Sequence, residues 1–544
     1  MRSSGIAVAG GLVATLGLTA CGGGSSGGSD PAKFDAAGGT AVAAECKAAP
    51  VKGGSLVYSR QAETQSLNPI DLRNGNGDIF ASELLYNGLT RADPKGGDEL
   101  LPGLAESWEV SNGGKTYTFK LRQGVKFSNG DPLTAEDVKF SLDRFGDPKI
   151  NQILSVVAVG YDKATVVDDS TVRVDLTEPV AAFLYNISIF PAFIVPKKLV
   201  EEQGDAFWKT PVGTGPYRLK KFVRGSYIAF ERNPHYWEDG KPYLDEVRFN
   251  FASDSNSRLL ALKNDQAQIA DGVPFSQIDP LKADKNVVLQ QTKVPQFVGL
   301  WLNHKRAPLA DLNVRKAMQL ALDRDQIKNG IFKGAGSVPN SVLPPLKYDA
   351  GADQVPPYPF DLAQAKAEMA KSKHAQGFST TLQYPAGYDY YKQLGLLLQN
   401  QWGQIGIKVK LIEEDGATGT DRFNSGDYDM TIPYAQFTSD LTVPDEYAGF
   451  LADPASGTNG FFSNWSDPAI TKMVKTFATT PDEAERAKQW PVIQKAMLDQ
   501  TPVINVINLP SITAHRTNVC GTDINALGAD HLENTWLTTA KASR

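Results

Sequence analysis

The residues of this 544-residue chain that could do chemistry are 61 carboxylates, five histidines and three cysteines, and their spacing decides which chemistry is open to them. A hydrolase needs a nucleophile, a base and an orienting group. No HExxH occurs, and the only glycines that approach GxSxG, Gly24 to Gly28, lie in a Gly/Ser-rich run. Around Pro211-Val212-Gly213-Thr214-Gly215-Pro216-Tyr217 there is neither GxxxxGK[ST] nor a complete GxGxxG, so those glycines read as a turn rather than a phosphate cradle. His235, His304, His374, His515 and His531 show no metal-ligand spacing, and no CxxC is present. An enzyme, a cofactor and a metal site are therefore not expected, although distant histidines can meet in a fold. Most carboxylates read as a solvated surface.

The composition, 41% apolar and 21% charged, is that of a soluble globular protein. A net charge of −6 without a basic patch argues against nucleic acid. The length exceeds what one hydrophobic core supports, so two or more lobes are expected. Arg2 is the only charge before an apolar run from Ile6 to Leu18, which ends in Leu18-Thr19-Ala20-Cys21. This is a signal peptide, 1–20, closed by a lipobox whose cysteine is acylated; it is shorter than the roughly 20 apolar residues of a membrane span. Residues 21–49 read as a Gly/Ser-rich tether, and a flexible linker of about 25 residues has an end-to-end distance of roughly 25 to 30 Å. Cys46 and Cys520 remain, an even pair outside the cytoplasm, which favours a disulfide.

From Leu104 to Leu121 apolar residues alternate about Asn112-Gly113-Gly114: Trp108 and Val110 before it, Tyr117, Phe119 and Leu121 after it. That is a β-hairpin with one buried face. After the turn Ser128-Asn129-Gly130-Asp131-Pro132, Thr134 and Asp137 form a capping box that opens a helix striped by Val138, Leu142 and Phe145. Hairpin, NGxPxTAxDV turn and helix together resemble the family 5 extracellular solute-binding proteins, the peptide-binding components of ABC importers. The Pro211–Tyr217 turn followed by Glu231-Arg232-Asn233-Pro234-His235-Tyr236-Trp237, and Asn303 to Ile327 with Asn313-Val314-Arg315-Lys316-Ala317, carry the same resemblance in the same order.

The resemblance implies an α/β, two-lobed periplasmic-binding-protein-like fold (type II, the large cluster C variant) with an extra subdomain. The expected division is 50–294 for lobe I with the subdomain at about 87–209, 295–503 for lobe II, and 504–544 returning to lobe I. The connections near Pro295 and Val503 form a hinge that lets the lobes close. Strands are expected at Gly53–Arg60, Tyr217–Phe222, Tyr227–Arg232, Val247–Phe251 and Val503–Ile507. The apolar run Val180–Val195, interrupted by Asn186 and Pro191, reads as a buried segment. One amphipathic helix is expected over Asp311–Ile327. In lobe II, Thr380–Tyr384, Ile407–Ile412 and Tyr428–Tyr434 alternate with helices, which predicts parallel pairing.

Ligands of such sheets sit beyond the carboxyl ends of strands, which points at Tyr384 to Tyr388 and Gln436 to Asp440. The resemblance adds that Asp440 occupies the place where peptide-binding relatives hold the ligand's α-ammonium. Gln436, Phe437, Tyr434, Tyr388, Phe297, Asn76 and Asp78 are further ligand-binding candidates by position; no arginine can be placed opposite a ligand carboxylate. The expected protein is a monomeric lipoprotein on the extracytoplasmic face of a bacterial membrane. It captures a small solute, a peptide foremost, and delivers it to the permease subunits of an ABC importer, with no ATP site of its own. A receptor for nickel or a metal chelate on the same fold, and an interaction-only surface lipoprotein, remain the alternatives.

Overall fold

The computed structural model describes residue 46 and residues 49–71, 73, 76–95, 99–151, 155–386, 388–432, 437–438, 442–454, 463–525 and 528–538. The signal peptide, Cys21 and nearly all of the tether lie outside the described residues.

Two long strands organise the molecule. Val287–Leu302 and Val503–Arg516 pair antiparallel over most of their length: Val287–Thr292 lies against Ser511–Arg516, and Gln296–Trp301 against Val503–Leu509. Between these blocks the register shifts, where one strand carries Lys293, Val294 and Pro295 and the other Pro510. Proline has no N–H to give to a ladder, so two prolines facing each other break it locally. On one side of the pair the sheet continues through Ile269–Ala270, Ser55–Arg60, Glu246–Phe251, Tyr227–Arg232 and Tyr217–Val223. On the other it continues through Met430–Thr431, Phe378–Pro385 and Ile407–Glu414. With Phe437–Thr438 paired onto Gln296–Phe297, eleven strands form one mixed sheet.

The parallel pairs stand where helices intervene in the chain. Phe378–Pro385 runs parallel to Ile407–Glu414 after the helix Asp389–Gly403, and Ser55–Arg60 runs parallel to Glu246–Phe251. Leu394, Leu398 and Trp402 bury one face of that helix against Leu382, Ile407 and Val409. A second cluster, including Trp301, Tyr447, Phe477 and Trp490, closes the other side of lobe II. At roughly 1.5 to 3 kcal/mol for each fully buried large side chain, these clusters outweigh any single polar contact in holding the lobe.

The subdomain is a four-stranded antiparallel sheet with its own hairpin, Ala105–Ser111 and Thr116–Leu121, under the helix Ala135–Gly146. The turn places Asn112, Gly113 and Gly114 all at positive φ, a conformation in which glycine carries no Cβ penalty. Tyr117, Phe119 and Leu121 face the core as the alternation predicts. Val110 does not: it is 50% exposed although Tyr117 opposite it is buried, because Ala105–Ser111 is the edge strand of this sheet and the helix packs over the strands at the other side. Thr134 Oγ1 accepts the Asp137 N–H at 3.2 Å, and the Asp137 carboxylate accepts the Thr134 N–H at 2.9 Å. Asp137 also accepts the Lys197 N–H at 2.9 Å, which ties this cap to the next helix, Lys197–Gln203.

Two further expectations need correction. The stretch Asp311–Ile327 is two helices, Leu312–Leu320 and Arg324–Gly330. Asp323 accepts the Gln326 N–H at 2.9 Å and so caps the second, which stops the first from running through. The last long strand does not end near Ile507 but runs to Arg516. The run Val180–Val195 packs into the core of lobe I, and among the described residues no helix is long and apolar enough to cross a membrane.

Candidate functional site

The carboxyl ends of two sets of parallel strands approach each other. Ser55–Arg60 hands over to Gln61, and Ile269–Ala270 beside it hands over to Asp271 and Gly272. Across from them Phe378–Pro385 hands over to Ala386, whose N–H donates to the Glu414 carbonyl at 2.7 Å, and then to Tyr388. The Gln61 amide Nε2 donates to the Tyr388 hydroxyl at 3.1 Å, joining lobe I to lobe II.

Beneath Gln61 lies a buried charge cluster. Arg60, its side chain 3% exposed, pairs with Asp271 at 3.5 Å and Asp530 at 3.4 Å, and its guanidinium lies 3.8 Å from the Phe80 ring centre. Arg258 pairs with Asp271 at 3.5 Å and donates to the carbonyls of Ala252, Ser253, Asp271 and Gly272. Burial pushes the Asp530 carboxyl above its ordinary range, and Arg60 pulls it back. Burial also lowers Arg258, with Asp271 opposing. The two arginines and two aspartates balance one another in charge, although the buried Arg60 Nε finds no hydrogen-bond acceptor, and the cluster is a support. Buried pairs of this kind fix geometry more than they add stability.

On the lobe II side Tyr388 packs edge-on to Tyr390 and Tyr391, with ring centres 5.6 and 5.4 Å away. Phe275 of lobe I reaches over to Tyr390 at 5.5 Å. Farther along the interface the Lys347 ammonium donates to the Tyr185 hydroxyl at 2.8 Å and pairs with Glu483, while the Ala181 N–H donates to the Ala478 carbonyl at 2.9 Å. The pKa of Lys347 is raised: burial works against the charge, but Glu483 and Tyr185 more than compensate. The lobes are thus joined by polar contacts at separate places, with aromatic surface beside one of them.

The sequence candidates divide. Tyr388 stands at this junction. Asp78 is 2% exposed and accepts the backbone N–H groups of Gln65, Ser66 and Arg73 at 2.5, 2.9 and 2.7 Å, so its carboxylate organises the loop before its own helix. Phe297 is 1% exposed, edge-on to Trp301 and Tyr447, within the lobe II core. Both were picked by chain position, which does not distinguish a cleft wall from the layer behind it. Tyr434, Gln436 and Asp440 lie outside the described residues, as do the side chains of Asn76 and Phe437; the backbone of Phe437 pairs with Phe297. Gln61 was missed, and no local signal marks it. Cys46 and Cys520 are joined by a disulfide.

Among the described residues no three His, Cys, Asp or Glu side chains are grouped to hold a metal ion. His304 donates through Nε2 to the Pro502 carbonyl at 3.0 Å, and burial pushes its pKa down to about 3. His515 contacts the Arg516 carbonyl, and His531 sits on Glu533.

The chain is 29% identical over 477 residues to di/tripeptide-binding protein 1 of Pseudomonas aeruginosa, covering 82% of this chain and 88% of that one. It is 28% identical over 528 residues to the dipeptide-binding protein of Escherichia coli, covering 91% and 97%. Among solved structures, the Helicobacter pylori periplasmic binding protein DppA, in complex with the peptide STSA, superposes with a TM-score of 0.79 at 24% identity, over 90% of this chain and 99% of that one. It shares the two-lobed fold of mixed α/β type. The family model for bacterial extracellular solute-binding proteins, family 5, matches residues 99–459. That match spans more than half of the sequence, and the chain belongs to the family 5 bacterial extracellular solute-binding proteins.

Proposed function

We propose that this chain, the substrate-binding protein of an ABC importer, captures short peptides between its two lobes and hands them to the permease from a lipid anchor at Cys21. The observation that carries the reading is the facing of two sets of parallel-strand ends at Gln61 and Tyr388, the position where open α/β sheets take their ligands. The names of the relatives, di/tripeptide-binding and dipeptide-binding, support the ligand class. Asp440 holds the peptide's α-ammonium in this reading, with Gln436, Tyr434, Phe437, Tyr388 and Asn76 around the ligand. Asp78 and Phe297 support the site from behind. The first lobe boundary, expected at 294/295, is supported by the break in the ladder between Thr292 and Gln296. On the other strand that break falls at Pro510, and Ile504, Val506, Ile507 and Leu509 pack with Leu382 and Leu394, so in this reading the return to lobe I comes near Pro510 rather than at 504.

A charge-assisted contact to a buried ammonium is directional, and removing its carboxylate leaves the cation without a partner. Asp440→Ala is expected to lose on the order of 2 to 5 kcal/mol of affinity. A thermal-shift panel of di- and tripeptides with free and acetylated N-termini tests this, since ligand at about 100 times its Kd stabilises the native state by roughly 2.7 kcal/mol. Equal shifts from free and acetylated peptides would remove the ammonium role, and no shift from either would remove the peptide.

A further inference from the structure

Gln61 and Tyr388 lie 327 positions apart in the chain, and each also makes contacts on its own side of their bond. The Gln61 N–H donates to the Asp271 carboxylate at 2.8 Å, and Asp271 is itself fixed by Arg60 and Arg258. The Gln61 side-chain carbonyl rests against Gly272, where a Cβ would come within 2.8 Å of that oxygen and 2.6 Å of the Arg258 guanidinium. Gly272 also has φ of +57°, a conformation that side chains rarely adopt. The Gln61 amide is thus fixed by contacts on its own side of the cleft as well as by Tyr388. Tyr388, packed on Tyr390 and on the buried Tyr391, presents its hydroxyl from a ring already stacked.

We propose that Gln61 is a positioning residue for solute capture, whose amide holds the Tyr388 hydroxyl across the cleft and so favours the closed arrangement of the lobes. The inference rests on the reading that a solute is captured between the lobes, but not on that solute being a peptide. Both partners are preorganised, so forming the bond orders little that was free, and its contribution goes to the relation between the lobes. A group that binds only in the closed arrangement shifts the equilibrium by its differential interaction alone. Gly272 and the Arg60–Asp271–Arg258 cluster act through Gln61 in the same direction.

The test uses the full chain with nitroxide labels at Glu201→Cys in lobe I and Lys366→Cys in lobe II, both exposed positions. Interlobe distances are measured by pulsed electron resonance without added ligand. Gln61→Ala and Tyr388→Phe are each expected to lower the closed-to-open ratio about five-fold, the effect of one net hydrogen bond, and the double variant no further than either single. An unchanged ratio in either single variant, additive effects in the double, or no closed population in the unsubstituted protein would overturn the proposal. Tyr388→Phe keeps the ring and decides the matter if Gln61→Ala does not fold. Repeating the measurement with free Ala-Ala separates the two readings: no response to that dipeptide counts against the peptide and leaves the unliganded result standing.

Discussion

Cys46 and Cys520 are bonded across 474 residues of sequence with their Cα atoms 5.7 Å apart. Cys520 belongs to the short strand Val519–Cys520, paired with Trp536–Leu537, so the bond fastens the first of the described residues to a strand pair near the last of them. Closing so long a loop contributes up to roughly 5 kcal/mol in the chain-entropy account. Cys46→Ser with Cys520→Ser is expected to unfold at clearly lower denaturant than the oxidised protein. Coincident unfolding curves would show that the bond does not stabilise the domain.

The capping box at Thr134 gives a smaller and more local prediction. Thr134→Ala removes the acceptor of the Asp137 N–H and is expected to cost about 1 kcal/mol. Asp137→Ala should cost more, because it also frees the Thr134 and Lys197 N–H groups. Urea unfolding measures the difference, and equal costs for the two would contradict the link to the second helix.

In lobe II the buried Arg486 guanidinium lies 3.1 Å from Asp445 through Nη1, donates to the Phe477 carbonyl at 2.8 Å and stacks 3.9 Å from the Phe477 ring centre. Arg486→Met leaves the Asp445 carboxylate buried without its cation, at an expected cost of 3 to 5 kcal/mol, roughly. Asp445→Leu in the same chain should recover part of that loss. A double variant whose cost equals the sum of the singles would mean that the two charges are not coupled.

Glu83 sets a pH dependence. Burial pushes its carboxyl up from 4.5 to about 7, with His531 pulling it down and Glu533 pushing it up. Between those pH values the folded protein holds a proton that the unfolded chain has released, so stability falls as pH rises through this window. His531 works in the same direction: burial opposes its charge, but Glu533 at 2.9 Å and Glu83 raise it overall, so its contribution is lost as pH rises past its folded value. Nearby Asp523, raised by burial, adds to the slope, while the lowered Glu533 opposes it at acid pH. Glu83→Gln should flatten the fall between pH 5 and pH 8 by on the order of 2 kcal/mol. Parallel stability profiles for the two proteins would remove Glu83 from this role.

What could be read from the sequence follows the range of the interaction. Thr134 and Asp137 are three residues apart, and their cap was legible because both partners and the helix they start lie in one window. Asp323 was equally local, and its N-cap role three residues before Gln326 was overlooked because the apolar stripe on either side reads as one helix. The alternation that buries Tyr117 and Phe119 cannot report which strand lies at the edge of the sheet, so it places Val110 inside although Val110 is half exposed. Asp78 looked like a ligand carboxylate because sequence does not show the backbone amides that fold around it. Gln61 had no signal at all: its meaning depends on Tyr388, and only the strand order brings the two together.

The paired strands Val287–Leu302 and Val503–Arg516 keep their hydrogen bonds on both sides of the proline break. The connection between the lobes is therefore a pair of rails rather than two slack cords, and relative rotation of the lobes is a twist of a standing ladder. Such a joint behaves as a torsion bar with a preferred resting angle set by the strands themselves. Any such twist falls on the same few residues around Pro295 and Pro510, and the amides that pair Val287–Thr292 with Ser511–Arg516 are expected to stay protected from exchange.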